Sequence, residues 1–216
     1  MAITESQNGW PASSNASEID IISVPIQLKG GIKKIQVTRA AAPALAEIVR
    51  WWDQNIEPVT SRGSYNYRPI RGYKSTISNH GSGTAVDINA TKHPLGAVGT
   101  VPADKIQLIR EKANALGLRW GGDYRNRKDE MHFEINHSPL VYATFAKAQR
   151  AQEVARTETL ETIGKGAQAG GRVARALHRK RRIIYAISGV TSILLITALV
   201  ILRKRRKAKE QEGKQA

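Results

Sequence analysis

The sequence of 216 residues contains no cysteine. This absence excludes disulfide bonds and every metal site built from thiolates, so a metal in this chain has to be held by His, Asp or Glu. It leaves the redox compartment open, because a cysteine-free chain folds in either environment. The sequence also has no internal repeat, which argues against a repeat architecture.

The opening residues lack the basic start and the continuous apolar run of a secretory signal peptide. Residues 1–28 read instead as a polar N-terminal segment, rich in Ser, Asn and Ile. We therefore expect any export to depend on another part of the chain or on a partner.

Charge is absent from residues 183–202, a run of 20 residues. A helix of about 20 residues, rising about 1.5 Å per residue, spans the hydrocarbon core of a bilayer. The run predicts a single-pass transmembrane helix in contact with lipid. Residues 168–182 carry six Lys and Arg and residues 203–216 carry seven, so the charge bias leaves the orientation open.

The net charge of +16 is unevenly distributed. Residues 1–144 hold 17 basic and 13 acidic residues, whereas residues 145–216 hold 17 basic and only 5 acidic residues. Basic clusters beside an apolar run are typical of segments at a membrane surface. We therefore do not expect nucleic acid as a partner.

Two separated segments carry the residues of a metal site, SNHGSGTAVDIN at 78–89 and DEMHFEI at 129–135. A catalytic zinc ion usually takes three protein ligands and keeps one open position. Strand alternation places Asp87 on one face of the first segment and His132 on the polar face of the second. A glycine-rich turn lets His80 fold back over both. We therefore predict one Zn²⁺ bound by His80, Asp87 and His132.

A carboxylate beside such a site can take a proton from water as the water attacks a carbonyl carbon. Asp129 and Glu130 are both available. Strand parity favours Glu130, which would share a face with His132, but only if the strand already begins there. The run DYRNRKD before it is polar and loop-like, so spacing alone leaves the two acids as alternatives.

These segments resemble a known family. The pattern S-x-H-x-x-G-x-A-x-D-I-N, followed by W-G-G-D-Y and D-E-M-H-F-E, is similar to that of the D-alanyl-D-alanine carboxypeptidase and L-alanyl-D-glutamate endopeptidase family of zinc enzymes, which includes many phage endolysins. The resemblance covers roughly residues 30–145. It implies that His80, Asp87 and His132 bind zinc and that Asp129, in the D-x-x-H position, is the catalytic acid/base.

The resemblance also suggests substrate contacts. The stretch YNYRPIRG resembles the family's segment before the first ligand, whose arginine contacts the substrate, so Arg68 or Arg71 is the expected substrate-binding residue. Ser78 is expected to support this site by hydrogen bonding to a ligand residue, or else to start a turn. The opening QNGWPAS resembles the start of lysins from phages of actinobacteria.

Hydrophobic periodicity completes the prediction of the fold. GIKKIQVT at 31–38 reads as a strand, and Leu45, Ile48, Val49 and Trp52 form a helical stripe. Helices are also predicted over residues 102–116 and 140–161. The predicted class is α+β, with a small antiparallel sheet and flanking helices carrying the zinc site, plus one C-terminal transmembrane helix. The predicted divisions are 1–28, a peptidase domain at 29–145, a basic linker at 146–182, the membrane helix at 183–202 and a basic tail at 203–216.

The sequence thus predicts a membrane-anchored zinc peptidase of peptidoglycan stem peptides, as in a phage cell-wall lytic protein. L-Ala-D-Glu endopeptidase activity is favoured over D-Ala-D-Ala carboxypeptidase activity. The alternative is an inactive, membrane-tethered protein that binds cell wall or belongs to a virion. The ligands together with Asp129 argue against this alternative, because an inactive site would be free to lose them.

Overall fold

The computed structural model describes residues 3–167 and the side chains of residues 3–161. Strands and helices are interspersed along this part of the chain. The strands are β1 (Thr4–Glu5), β2 (Pro11–Ala12), β3 (Ile21–Leu28), β4 (Gly31–Thr38), β5 (Arg62–Gly63), β6 (Ala85–Ile88), β7 (Leu118–Trp120) and β8 (His132–Ile135); the helices are α1 (Ala42–Asn55), α2 (Ile106–Ala115) and α3 (Pro139–Ala167).

An antiparallel hairpin and a helix form one side of the core. Strands β3 and β4 pair along their whole length, from Ile21 opposite Thr38 to Leu28 opposite Gly31. Helix α1 starts with a proline in its first turn, where a missing backbone donor is harmless. Its predicted apolar stripe, which includes Ile48 and Trp52, is fully buried and packs on the hairpin. The strand and the helix expected in this region are therefore confirmed.

A four-stranded antiparallel sheet, in the order β5-β6-β8-β7, carries the two segments of the predicted metal site. Strands β6 and β8 are neighbours, with Asp87 directly opposite His132. Val86 and Phe133 lie on the other face and are fully buried in the core. The alternation of the two strands therefore turns one face to the core and the other to the polar site, as strand parity predicts.

The N-terminal segment belongs to the same core as the sheet and α1. Trp10, Ile26 and Leu28 are buried among the core residues. The indole nitrogen of Trp10 donates to the backbone oxygen of His137 at 2.8 Å, just beyond β8. Residues 3–28 are thus part of the packed structure that surrounds the site.

The prediction of a transmembrane helix is corrected. No helix within residues 3–167 is both long enough and apolar enough to cross a membrane, and residues 183–202 lie outside the described part of the chain. Helix α3 has the length, but charged side chains recur along it: Lys147, Arg150, Glu153, Arg156, Glu158 and Glu161. The described residues form a mixed helix and sheet fold with small antiparallel sheets. The predictions of a membrane location and of lipid contact are corrected together with that of the transmembrane helix.

The chain divides into two units, Met1–Arg150 and Ala151–Ala216. Both segments of the predicted metal site lie in the first unit.

Candidate metal centre

Three side chains that can bind a metal meet at one point of the four-stranded sheet. Oδ1 of Asp87 lies 2.8 Å from Nδ1 of His132 and 3.2 Å from Nε2 of His80. The two ring nitrogens are themselves 3.2 Å apart. The structure therefore converges two imidazole nitrogens and one carboxylate oxygen from residues far apart in sequence, and this donor set suits zinc.

His80 reaches the centre because a short 3-10 turn, Asn79–Ser82, precedes β6. Ser78 caps this turn, and its hydroxyl accepts from the backbone N–H of His80. Gly83 ends the turn in the left-handed region at φ +65°, where a Cβ atom would come within 2.7 Å of the backbone nitrogen of Thr38. Glycine is therefore required there by both conformation and space.

Each imidazole is oriented through the nitrogen that faces away from the centre. Nδ1 of His80 donates to the backbone oxygen of Ser64 at 2.7 Å. Nε2 of His132 lies 3.1 Å from Oε2 of Glu134. A hydrogen bond at the second nitrogen fixes the ring and directs the first nitrogen to the metal, as is usual in metal sites. The residues present therefore fit a bound zinc ion.

Glu134 is the centre of a buried network that sequence analysis missed. Its Oε1 accepts from the Tyr124 hydroxyl and from Nε of Arg119, both at 2.7 Å. Its Oε2 accepts from the side-chain amide of Asn79. The guanidinium of Arg119 also lies 4.8 Å from the ring centre of Tyr124. Strand alternation was the signal available in the sequence, because Glu134 is acidic and lies two residues after His132, on the same face of a buried strand.

Neighbouring charges set the ionisation of the centre when no metal is bound. Burial alone would lower the pKa of His132, but the carboxylates of Asp87 and Glu134 hold its proton and raise the pKa to about 10. Burial would likewise raise the pKa of Asp87, yet hydrogen bonds from both histidines hold it far below its usual range. A metal ion and a proton therefore compete for the same nitrogen of His132.

Asp129 lies in the loop that leads to β8 and is 9% exposed. Its backbone nitrogen donates to the oxygen of Gly121 at 3.0 Å, and its own oxygen accepts from the nitrogen of His132 at 3.0 Å. Among the described residues, its buried Oδ1 has no hydrogen-bond partner. Burial, opposed by the positive charge of His132, raises the pKa of Asp129 to about 6. This carboxyl is thus available to gain or lose a proton near neutral pH.

Glu130, the alternative acid, is bound to another part of the chain. Its carboxylate accepts from the backbone nitrogens of Gly99 and Thr100, both at 2.8 Å, and of Val101 at 3.0 Å. These hydrogen bonds keep its pKa low although burial opposes them. Glu130 therefore holds the loop at residues 99–101, and strand β8 begins only at His132, so parity does not apply to this acid.

The expected substrate arginines lie on the segment that enters the turn of His80. The backbone oxygen of Arg68 accepts from the nitrogen of Ser78 at 3.0 Å, and its guanidinium donates to the backbone oxygen of Pro69. Arg71 is exposed in the turn that follows. Ser78 is buried and acts on the backbone of His80 through its cap. The backbone of Arg68 is therefore hydrogen-bonded to Ser78, two residues before His80.

Comparison with known proteins found a match to one family model. A family model described as D-alanyl-D-alanine carboxypeptidase matches residues 71–135, which include the three metal residues and Asp129. The match supports, at the level of this family, a peptidase that acts on cell-wall peptides. No curated protein and no solved structure matched the chain.

Proposed function

We propose that this protein is a zinc-dependent peptidase that cleaves the peptide stems of bacterial peptidoglycan. The convergence of His80, Asp87 and His132 within hydrogen-bonding distance of one another carries the proposal. The family match over residues 71–135 independently supports the substrate class.

In this proposal His80, Asp87 and His132 hold the zinc ion. When bound, zinc supplies a Lewis acid for the scissile carbonyl and lowers the pKa of water to about 7. Ser64 and Glu134 keep the two rings aimed at the centre through their outer nitrogens.

Asp129 is the proposed acid/base. Its buried Oδ1 takes a proton from the attacking water and then delivers that proton to the leaving amine. Glu130 is excluded from this role because its oxygens are hydrogen-bonded to the loop at residues 99–101. Arg68, rather than the exposed Arg71, is the proposed contact for a carbonyl or carboxylate of the substrate.

The finer proposal concerns the bond and the biological setting. We infer that the protein cleaves between L-Ala and D-Glu as an endopeptidase in phage-mediated lysis. The resemblance of QNGWPAS to the start of phage lysins supports this choice over D-Ala-D-Ala carboxypeptidase activity.

Mass spectrometry of muropeptides tests the proposal. Purified peptidoglycan is incubated with the zinc-loaded full chain, with Asp129→Asn as the matched control. We expect new L-Ala carboxyl termini and D-Glu amino termini, and we expect them to be absent with the variant. Release of free D-Ala would assign carboxypeptidase activity instead. Intact substrate across several wall types would contradict the peptidase and favour a protein that only binds the wall.

A further inference from the structure

A short N-terminal segment, Ser6–Trp10, contacts both segments of the metal site. We refer to these five residues as the N-terminal clasp. The nitrogen of Gln7 donates to the oxygen of Ile77 at 3.0 Å, immediately before the turn of His80. The hydroxyl of Ser6 donates to that of Ser82 at 2.8 Å, within the turn. The clasp thus lies outside the matched family region yet is bonded directly to it.

Asn8 joins the two segments of the site to each other. Its side-chain amide nitrogen donates to the hydroxyl of Thr84 at 3.0 Å and to the backbone oxygen of Ile135 at 3.1 Å. Thr84 precedes β6, which carries Asp87, and Ile135 ends β8, which carries His132. One amide group therefore bridges the strands of two metal residues.

Asn8 also sets the orientation of the amide that holds Glu134. Its backbone nitrogen donates to Oδ1 of Asn79 at 3.0 Å, and the amide nitrogen of Asn79 then donates to Oε2 of Glu134. That same Oε2 lies 3.1 Å from Nε2 of His132. If the amide of Asn79 turned over, its oxygen would face the carboxylate of Glu134, which is unfavourable.

We propose that Asn8 is a positioning residue for the metal centre: its side chain bridges the strands of Asp87 and His132, and its backbone nitrogen orients Asn79 and through it Glu134. This inference rests on the proposed zinc site. Replacing a single group that is hydrogen-bonded to a metal ligand typically lowers the metal affinity by about 10-fold to 100-fold. A segment that merely stabilised the fold would change the melting temperature and leave the affinity of the folded protein for metal unaltered.

The test measures the zinc dissociation constant of the full chain by competition with a chromophoric chelator. We expect Asn8→Ala, which removes the side-chain bridge between the two strands and keeps the backbone nitrogen, to raise this constant by about 10-fold. The matched control is Asn15→Ala, because Asn15 lies in the same N-terminal region and its side chain bonds with Ser17 and Glu18 nearby. We expect the control to bind zinc like the wild type.

A spectrum of the cobalt-substituted protein adds a second readout. Its visible bands report the ligand geometry, so a displaced His132 changes their position or intensity in Asn8→Ala and leaves them unchanged in Asn15→Ala. If circular dichroism shows that Asn8→Ala is unfolded, Asn79→Ala tests the second path, because it removes the acceptor for the backbone nitrogen of Asn8 and the donor to Glu134 and leaves the side-chain bonds of Asn8 in place.

The outcomes separate the inference from the proposed function. Wild-type protein that binds zinc, together with a folded Asn8→Ala or Asn79→Ala that binds it equally well with the same cobalt spectrum, overturns the positioning role alone. Wild-type protein that binds no zinc overturns both. A weaker site in Asn8→Ala and an unchanged site in Asn15→Ala supports the inference.

Discussion

Two adjacent acids, Asp129 and Glu130, have opposite environments in this structure. Oδ1 of Asp129 is buried without a hydrogen-bond partner among the described residues, whereas Glu130 accepts from three backbone nitrogens. An unsatisfied buried carboxylate is costly and is often retained where it serves chemistry. A fully bonded carboxylate contributes to stability instead. Two carboxyl groups that are neighbours in sequence therefore differ: the proposed role of Asp129 is chemical, whereas Glu130 holds the loop at residues 99–101.

Substitution of each acid by its amide separates these roles. We expect Asp129→Asn to lower kcat by about 100-fold or more, because general acid/base groups contribute about 10²-fold to 10⁴-fold. Glu130→Gln keeps the acid/base and is expected to lower thermal stability with a much smaller effect on kcat. Muropeptide cleavage and thermal melts measure the two effects. An active Asp129→Asn together with an inactive but folded Glu130→Gln would reverse the assignment.

The raised pKa of Asp129 also predicts a pH-dependent gain in stability for the metal-free Asp129→Asn variant. Burial raises the pKa to about 6 in the folded state, so the cost of burying the ionised carboxylate appears as the pH rises above about 4, is complete above about 6, and is zero where the acid is protonated in both states. At pH 8 we expect Asp129→Asn to be more stable by up to about 2 kcal/mol, since one pKa unit corresponds to about 1.4 kcal/mol. The gain should disappear as the pH falls below about 4, the range of an ordinary Asp pKa. Urea denaturation at several pH values measures it, and a gain independent of pH would contradict burial of the ionised carboxylate as its cause.

At the scale of elements, the approach of the loop at Asp129 to the turn Gly121–Asp123 depends on a missing side chain. A Cβ atom on Gly121 would lie 2.4 Å from the backbone oxygen of Asp129 and 3.0 Å from its Cβ. Backbone cannot yield as a flexible side chain does. We therefore expect Gly121→Ala to displace Asp129 and to lower kcat by about 10-fold to 100-fold, since a shift of about 1 Å can have this effect.

Gly30→Ala is the control for Gly121→Ala. A Cβ atom at Gly30 would meet no atom within 4 Å, so we expect wild-type kcat. Steady-state cleavage of purified muropeptides gives the comparison. If Gly121→Ala lost stability and kept its kcat, the position of Asp129 would not depend on this contact.

The elements also show what could be predicted from sequence. Period-two alternation predicted that Asp87 and His132 lie on one face, and the β6 and β8 pairing places them opposite each other. The pattern did not predict Asn8, because its partners Asn79, Thr84 and Ile135 lie more than 70 positions away and become neighbours only in the folded chain. Periodicity describes one element at a time, whereas the clasp exists only between elements.

At the scale of the whole molecule, the candidate metal site links parts of the chain that are distant in sequence. His80 comes from a turn, Asp87 and His132 come from paired strands, and the N-terminal clasp closes the arrangement. In the metal-free state the carboxylates of Asp87 and Glu134 hold a proton on the imidazole of His132, which lies between them. A bound metal stabilises the folded state because the unfolded chain presents no such converged donors.

Metal removal should therefore lower the melting temperature of the full chain. Free zinc at 1,000 times its dissociation constant stabilises a folded protein by about 4 kcal/mol. For a domain of about 150 residues, this corresponds to a rise of roughly 8 to 16 °C. We expect a shift of this order between chelator-treated and zinc-loaded protein in a thermal melt, and little shift for His80→Ala, which lacks one of the three ligands. An equal shift in His80→Ala would mean that zinc stabilises the protein from another site, because loss of a ligand nitrogen cannot leave the affinity of this centre unchanged.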